Sequence, residues 1–472
     1  MEAPGSQTLG RLPLAEAVLT VWRFIADADG IGRIYDENRG RSYEKLLSFP
    51  TMVSLVRDAL LEYDGSGKQS FEAAQGRGEL PASFRATYGK LGRTPIPVST
   101  AFLAGCTARI SAVYPQDPQA HTPVPTSLDA YEVLVFDGKA IKRVAKRLKP
   151  LWDTSGGLLG GRALVALNLR SGLAVAMRAH PDGDANEVRF VGDLVPEVRQ
   201  LLPRKRLWVA DSSFCDLTQP ARFAEQGDAF LVRYHPKVPF YADPARGACE
   251  GRDRRGRRYV QEWGWLGSPR HPKRRLYVRR ITLYRPGEKD VVLITNLCDE
   301  EAVPAVDLLE VYLSRWGIER MFQQVTEVFG LEHLIGTKPE GVIFQFAMCL
   351  VLYNLIQVVR GVIAAEVQRP RETISGEKLF QDVQRQMIAW SETVELDETL
   401  AHFAGEWTAV RVKVRLSDLL CGVWRDRWLK APPKKKTAPR KKVRKRTHSS
   451  VYRILEAHQQ RLKKEKRQVQ LT

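Results

Sequence analysis

Apolar positions change period twice along this chain. From Leu14 to about Tyr114 they recur at helical spacing, as in Ala17-Val18-x-x-Val21-Trp22-x-x-Ile25, with Gly/Ser breaks around Asp64-Gly-Ser-Gly67. The pattern predicts a helical N-terminal domain over 1–125, closed by the Pro-rich stretch 114–125, which reads as a linker. The period then shortens. Tyr131 to Phe136, Arg162 to Leu169 and Leu173 to Ala179 read as strands, the last two joined by Arg170-Ser-Gly172 as a hairpin. Glu187 to Leu202 reads as a helix, Arg206 to Ala210 as a strand, Leu217 to Gln226 as a helix and Ala229 to Tyr234 as a strand. Strand-like alternation resumes between Arg252 and Asn296, predicting an inserted β-sheet over 237–304. Helical spacing returns from Val306 to about Trp428, apart from a strand-like Ala409 to Val414. It is divided into 305–365, which completes the middle block, and a mostly helical region over 366–429.

The middle block, 126–236, therefore has the order β-β-β-α-β-α-β. Three antiparallel strands followed by parallel β-α-β units is the order of the ribonuclease H-like fold, in which the first and fourth strands lie side by side. The fold class expected is α/β: a ribonuclease H-like core interrupted by a β-rich insertion, with a helical N-terminal domain and a helical C-terminal region. Residues 430–472 begin Pro432-Pro433 and carry few apolar positions. They predict a disordered tail with a short helix from Val451.

Charge changes the picture because it is concentrated. Of the formal net charge of +19, residues 430–472 hold 16 Lys/Arg against Glu456 and Glu465, and residues 252–285 hold 12 against Asp253 and Glu262. The rest of the chain is mildly acidic. Two dense basic segments point to a polyanionic partner, since each neutralised phosphate releases counterions; a solvated solubility tail is the plainer reading of residues 430–472. Six cysteines without CxxC spacing argue for a reduced compartment and against structural zinc. The longest apolar stretch, Val342 to Ala365, is interrupted by Gln345, Asn354, Gln357 and Arg360, so it predicts a buried helix and no membrane span. The N-terminus lacks a secretory layout. The expectation is a cytoplasmic protein.

Three acids stand out against this frame. Asp137 and Asp211 close the apolar runs Val133-Leu-Val-Phe and Leu207-Trp-Val-Ala, and Glu319 lies in the helical stretch Tyr312-Leu-Ser-Arg315-Trp-Gly-Ile-Glu319. A carboxylate ending a buried strand is costly without a cation beside it. Each acid alone also reads as a turn residue, and Glu187 is a reserve candidate. Together they could bridge two Mg²⁺ ions about 3.5–4 Å apart, with Mn²⁺ as substitute, for in-line attack on a phosphodiester.

The spacing Tyr312-x2-Arg315-x3-Glu319 resembles the Tyr-Arg-Glu-Lys signature of DDE transposases of the bacterial insertion-sequence-four family. Phe136-Asp-Gly-Lys139 and Val209-Ala-Asp211-Ser-Ser-Phe resemble that family's first two catalytic blocks. The resemblance implies that Asp137, Asp211 and Glu319 are the metal ligands and that Tyr312 and Arg315 contact a phosphate near the element's end. The signature lysine is replaced by Thr326, so its contact would come from elsewhere, for example Lys338 or Arg320. The resemblance also implies a tryptophan of the β-insertion that stacks on a flipped base. Trp263 and Trp265, flanked by Arg254 and Arg257, are the candidates, although a strand tryptophan also reads as core. Lys139 and Lys142 either line a DNA channel or form a solvated basic face.

The function so implied is a bacterial, nucleoid-associated cut-and-paste transposase. It would bind double-stranded DNA, the terminal inverted repeats and the target, as a homodimer. A ribonuclease H-like nuclease without strand transfer and a non-catalytic DNA-binding descendant are the alternatives.

Overall fold

The computed structural model describes residues 11–268, 270, 275–431 and 447–469. Six helices come first: α1 (Pro13–Ile25), α2 (Ala28–Asn38), α3 (Phe49–Leu61), α4 (Gly67–Gly76), α5 (Phe84–Leu91) and α6 (Ile96–Val113). Local sequence starts four of them. Asp27, Ser48, Ser66 and Ser83 each accept a hydrogen bond from a backbone N–H of the first turn and cap α2 to α5.

The strands follow as β1 (Glu132–Ile141), β2 (Gly157–Leu159), β3 (Gly161–Asn168), β4 (Ala174–His180), β5 (Arg206–Ala210) and β6 (Ala229–Arg233). Helices α7 (Val191–Leu201) and α8 (Thr218–Phe223) make the crossovers on either side of β5. Strand β1 lies between β3, antiparallel with Asp137 opposite Val165, and β5, parallel with Val133 opposite Leu207. The first and fourth long strands are thus neighbours. Strand β1 continues to Ile141, five positions beyond the expected end, because β3 pairs with it throughout. Asp137 is therefore a mid-strand residue.

Strands β7 (Phe240–Ala242), β8 (Cys249–Arg252), β9 (Arg258–Leu266), β10 (Leu276–Leu283) and β11 (Val291–Thr295) complete the central region. The strands expected between Arg252 and Asn296 form, and they join the core sheet. Strand β11 pairs antiparallel with β6, Ile294 opposite Val232, so the insertion continues the core sheet into ten strands. The physical reason is that β6 would otherwise present an unpaired edge of N–H and C=O groups.

Helices α9 (Ala305–Ser314), α10 (Trp316–Glu327), α11 (Pro339–Glu366), α12 (Gly376–Thr393), α13 (Leu396–His402) and α14 (Ala409–Leu420) follow. The strand-like reading of Ala409 to Val414 is also corrected: Thr408 caps α14, and Val412, Leu416 and Leu420, four apart, bury one helical stripe. Beyond it, β12 (His448–Ser450) pairs parallel with β2, and α15 (Val451–Val469) is longer than the expected short helix. Residues 432–446, expected to be disordered, lie outside the described residues.

Packing does not stop at residue 125. Residues of α1, α3 and α6 share one apolar cluster with α11 and with Val133, Val135 and Val165 of the sheet, while Leu134, Phe136 and Trp208 face a second cluster against α7. Helix α11 is buried along nearly its whole length. Its polar interruptions are all spent on backbone or neighbouring side chains. Asn354 accepts from Ala174 N at 2.8 Å and donates to Ala174 O at 2.9 Å and Thr107 Oγ1 at 2.8 Å. Gln345 accepts from Ile335 N at 2.8 Å and donates to His333 O at 3.0 Å. At the far end of the molecule, Leu14 N donates to Gln386 Oε1 at 2.8 Å, and buried Glu16 accepts from Arg415 Nε at 3.0 Å and stands 2.9 Å from His402 Nε2. Asn354→Leu is expected to destabilise the fold by about 1–3 kcal/mol, because Ala174 N loses its partner in the core while Ala174 O keeps only Thr107 Oγ1 at 3.0 Å. A fall in thermal melting temperature measures it, and an unchanged melt would refute the assignment.

Candidate active site

Successive side chains of a strand point to opposite faces, so odd-numbered positions of β1 and β5 share one. Val133, Val135, Leu207 and Val209 pack in the same apolar cluster as Ile318, Met321 and Phe322 of α10. Asp137 and Asp211 extend those two rows. The first two acids therefore open toward the helix that carries the third.

Each acid is oriented locally. Asp137 Oδ1 accepts from Gly138 N at 2.8 Å, and Asp211 Oδ1 accepts from Ser213 N at 2.8 Å and Ser213 Oγ at 2.5 Å. Glu319 lies in the first turn of α10, where the helix dipole favours a carboxylate. The expected continuous helix from Tyr312 to Glu319 is interrupted: Arg315 sits in a tight turn between α9 and α10, with i to i+3 hydrogen bonds on both sides. That turn redirects its side chain. Arg315 Nη2 donates to Glu319 Oε1 at 2.9 Å, and Nη1 stands 3.6 Å from Asp137 Oδ2. The guanidinium thus lies across two acids rather than along a phosphate-facing helix surface. Tyr312 is buried against it, 5.9 Å from ring centroid to guanidinium carbon.

The electrostatics agree with this geometry. Burial pushes the Asp137 carboxyl up to about 6; Asp211 and Glu319 push the same way, while the Gly138 N–H and Arg315 oppose them. Arg315 Nε and Nη1 have no hydrogen-bond partner. A buried guanidinium beside Asp137 and Glu319 with two nitrogens outside any hydrogen bond is unfinished, and such a fork suits phosphate oxygens. As they stand, no three His, Cys, Asp or Glu side chains among the described residues enclose an ion. An oxygen-only donor set is of the chemical kind that suits a hard divalent cation. Reserve acid Glu187 is ion-paired with Arg162 and fills the space over Gly138, where a Cβ would lie 2.3 Å from Glu187 Oε2.

The other candidates separate. Lys139 Nζ donates to Thr326 Oγ1 at 2.9 Å, so a lysine does reach the Thr326 position, but from β1. Lys338, suggested as its substitute, lies against Gly92. Lys142 is exposed nearby. Trp263 is 1% exposed, with Nε1 donating to Cys298 O at 2.9 Å and Arg246 stacked 3.7 Å over its ring, so it is a core residue of the insertion. Trp265 is partly exposed, against Tyr277 and Arg275. Arg254 is held by Asp307 at 3.1 Å and Glu310 at 2.5 Å, and Arg257 by Asp253 at 2.5 Å. Arg254 ties the insertion to α9, and Arg257 is paired within the turn between β8 and β9. One aromatic escaped the sequence reading: Trp316, 58% exposed directly after Arg315. Helical periodicity had no means of marking a solvent-facing tryptophan.

A family model described as Transposase DDE domain matches residues 129–355. This segment is similar to DDE transposase domains. All three acids, Arg315 and the whole ten-stranded sheet lie within it, while α1–α6 and α12–α15 lie outside. Among solved structures, the chain is similar to a cryo-EM structure of the piggyBac transposase synaptic complex with hairpin DNA. The likeness is 11% identity over 86% of this chain and 85% of that chain, with a TM-score of 0.42. No curated protein matches the chain.

The raised Asp137 carboxyl sets a pH test. Its folded value of about 6 exceeds the ordinary 3.8, so its ionisation opposes folding above pH 6 and has no effect below about pH 4. Asp137→Asn is therefore expected to stabilise the metal-free protein by about 2 kcal/mol at pH 7.5 and by nothing at pH 4. Thermal melting in EDTA at both values checks it; equal gains at both would refute the burial account.

Proposed function

We propose that this chain is a DNA transposase of the insertion-sequence-four type, with a ribonuclease H-like catalytic core. It cleaves DNA at the ends of its element and transfers the freed 3′-hydroxyls into target DNA. The observation that carries the reading is the Arg315 guanidinium set against Asp137 and Glu319, with Asp211 at the end of the neighbouring strand acting on the Asp137 carboxyl, within the segment that matches the Transposase DDE domain.

Asp137, Asp211 and Glu319 would hold two Mg²⁺ or Mn²⁺ ions. Bound there, the ions would activate the attacking water or 3′-hydroxyl and stabilise the departing oxygen. Arg315, released from Asp137, offers its two unpartnered N–H groups to the non-bridging oxygens of the cleaved phosphate. Tyr312 supports that guanidinium from the buried side. Trp265 and Trp316 are the accessible aromatics for an unstacked base, a contact of about 1–3 kcal/mol. The basic segment 430–472 would hold flanking DNA by charge, and α1–α6 would recognise ends or assemble a homodimer. The setting is a bacterial cytoplasm.

A nuclease without strand transfer would use the same acids and is separated by whether end DNA becomes joined to a target plasmid. Asp211→Asn or Glu319→Gln is expected to lower Mg²⁺-dependent cleavage of end DNA by about 10²–10³-fold or more while leaving the fold intact. Cleavage at the wild-type rate by Asp211→Asn would sink the metal-site assignment.

A further inference from the structure

Arginines that only brace this fold are fully engaged. Arg199 and Arg206, whose side chains are buried, each place all three guanidinium nitrogens on acceptors: Asp228, Glu225 and Arg222 O for the first, Asp228 and Leu202 O for the second. Arg315 is different. It is buried as well, yet of its three nitrogens only Nη2 has a hydrogen-bond partner, Glu319 Oε1 at 2.9 Å. Nη1 faces Asp137 Oδ2 from 3.6 Å, outside hydrogen-bonding range. A guanidinium left this unsatisfied serves as a counter-ion and braces little.

The atoms it faces are those a metal ion would use. Asp137 commits Oδ1 to Gly138 N, as Asp211 commits Oδ1 to Ser213, so the oxygen that Asp137 has left for a cation is Oδ2. That oxygen is the one Nη1 looks at. A guanidinium and a divalent ion cannot share the gap between two carboxylates, because they repel each other and require the same lone pairs. Occupancy by one excludes the other. Arg315 also has somewhere to go: the rings of Tyr312 and Trp316 lie 5.9 and 5.7 Å from its guanidinium carbon, within reach of a cation–π contact.

We infer that Arg315 is a built-in competitor of the divalent ion, a monovalent stand-in between Asp137 and Glu319 that a metal ion must displace to enter. The inference rests on the reading of Asp137, Asp211 and Glu319 as metal ligands. It makes the protein alone a weaker binder of metal than its acids would otherwise be, and it defers uptake until another anion draws the guanidinium away.

The test measures Mn²⁺ binding to the full chain without DNA, by isothermal titration calorimetry at pH 7.5. Arg315→Gln, which keeps a polar side chain and removes the charge, is expected to bind Mn²⁺ about tenfold tighter than the wild type. Arg315→Lys retains the competing charge and is expected to stay within about threefold of the wild type. Arg315→Met fills similar space without charge and gives the same readout should Arg315→Gln fold poorly. Affinity no tighter than that of the wild type in the folded charge-free variant would overturn the inference. If Asp211→Asn still weakens binding in that case, the competitor falls and the metal ligands stand. A tenfold gain that Asp211→Asn cancels supports both, whereas a gain that survives Asp211→Asn places the ion elsewhere and overturns both.

Discussion

The architecture depends on a buried helix that is not wholly apolar. Helix α11 runs through the middle of the molecule with Gln345, Asn354, Gln357 and Arg360 inside it, and a buried polar group is tolerated only when its hydrogen bonds are made. Each of these is matched to one site. Asn354 binds both backbone groups of Ala174 on β4 and reaches Thr107 on α6, while Arg360 donates to Arg371 O beyond the C-terminal end of α11. An apolar helix could slide or rotate by a turn at modest cost. This one has a single register, and through it the N-terminal helices, the sheet edge and the C-terminal helices share one alignment.

That alignment sets the chemistry. The larger apolar cluster is one face of the sheet covered by α10 and α11, so wherever α11 holds α10, Glu319 follows. The tight turn at Arg315 then directs a guanidinium into the gap between Asp137 and Glu319. Three carboxylates in one half-buried place would repel one another strongly. Burial is the main cause of the upward displacement of the Asp137 carboxyl; Asp211 and Glu319 add to it, and Arg315 opposes them.

The sequence was most informative where one physical requirement dominated. Continuous apolar runs marked β1, β5 and β6 because these strands are covered on both faces, and helical spacing marked α1 through α6 because each buries a stripe. The three acids were legible for the same reason, as carboxylates in places that penalise them. It was least informative where partners decide the outcome. Strand β11 reads identically whether it pairs within an insertion or with β6, and Trp263 reads identically whether its neighbours are Arg246 and Arg279 or solvent. The lysine contact at Thr326 was invisible because Lys139 and Thr326 are 187 residues apart, and no linear motif spans a pairing between a strand and a helix that meet only after folding.

The hydrogen bond from Leu14 to Gln386 joins positions 372 residues apart, and Glu16 waits for His402 and Arg415. At ordinary synthesis speeds of about 5–20 residues per second, α1 leaves the ribosome on the order of 20–70 s before its partners exist. Throughout that interval Val18, Val21 and Trp22 lack part of their eventual cover. The nascent chain is therefore exposed to misassociation through its first helix, and the protein's yield in a cell will be governed by how that interval is bridged.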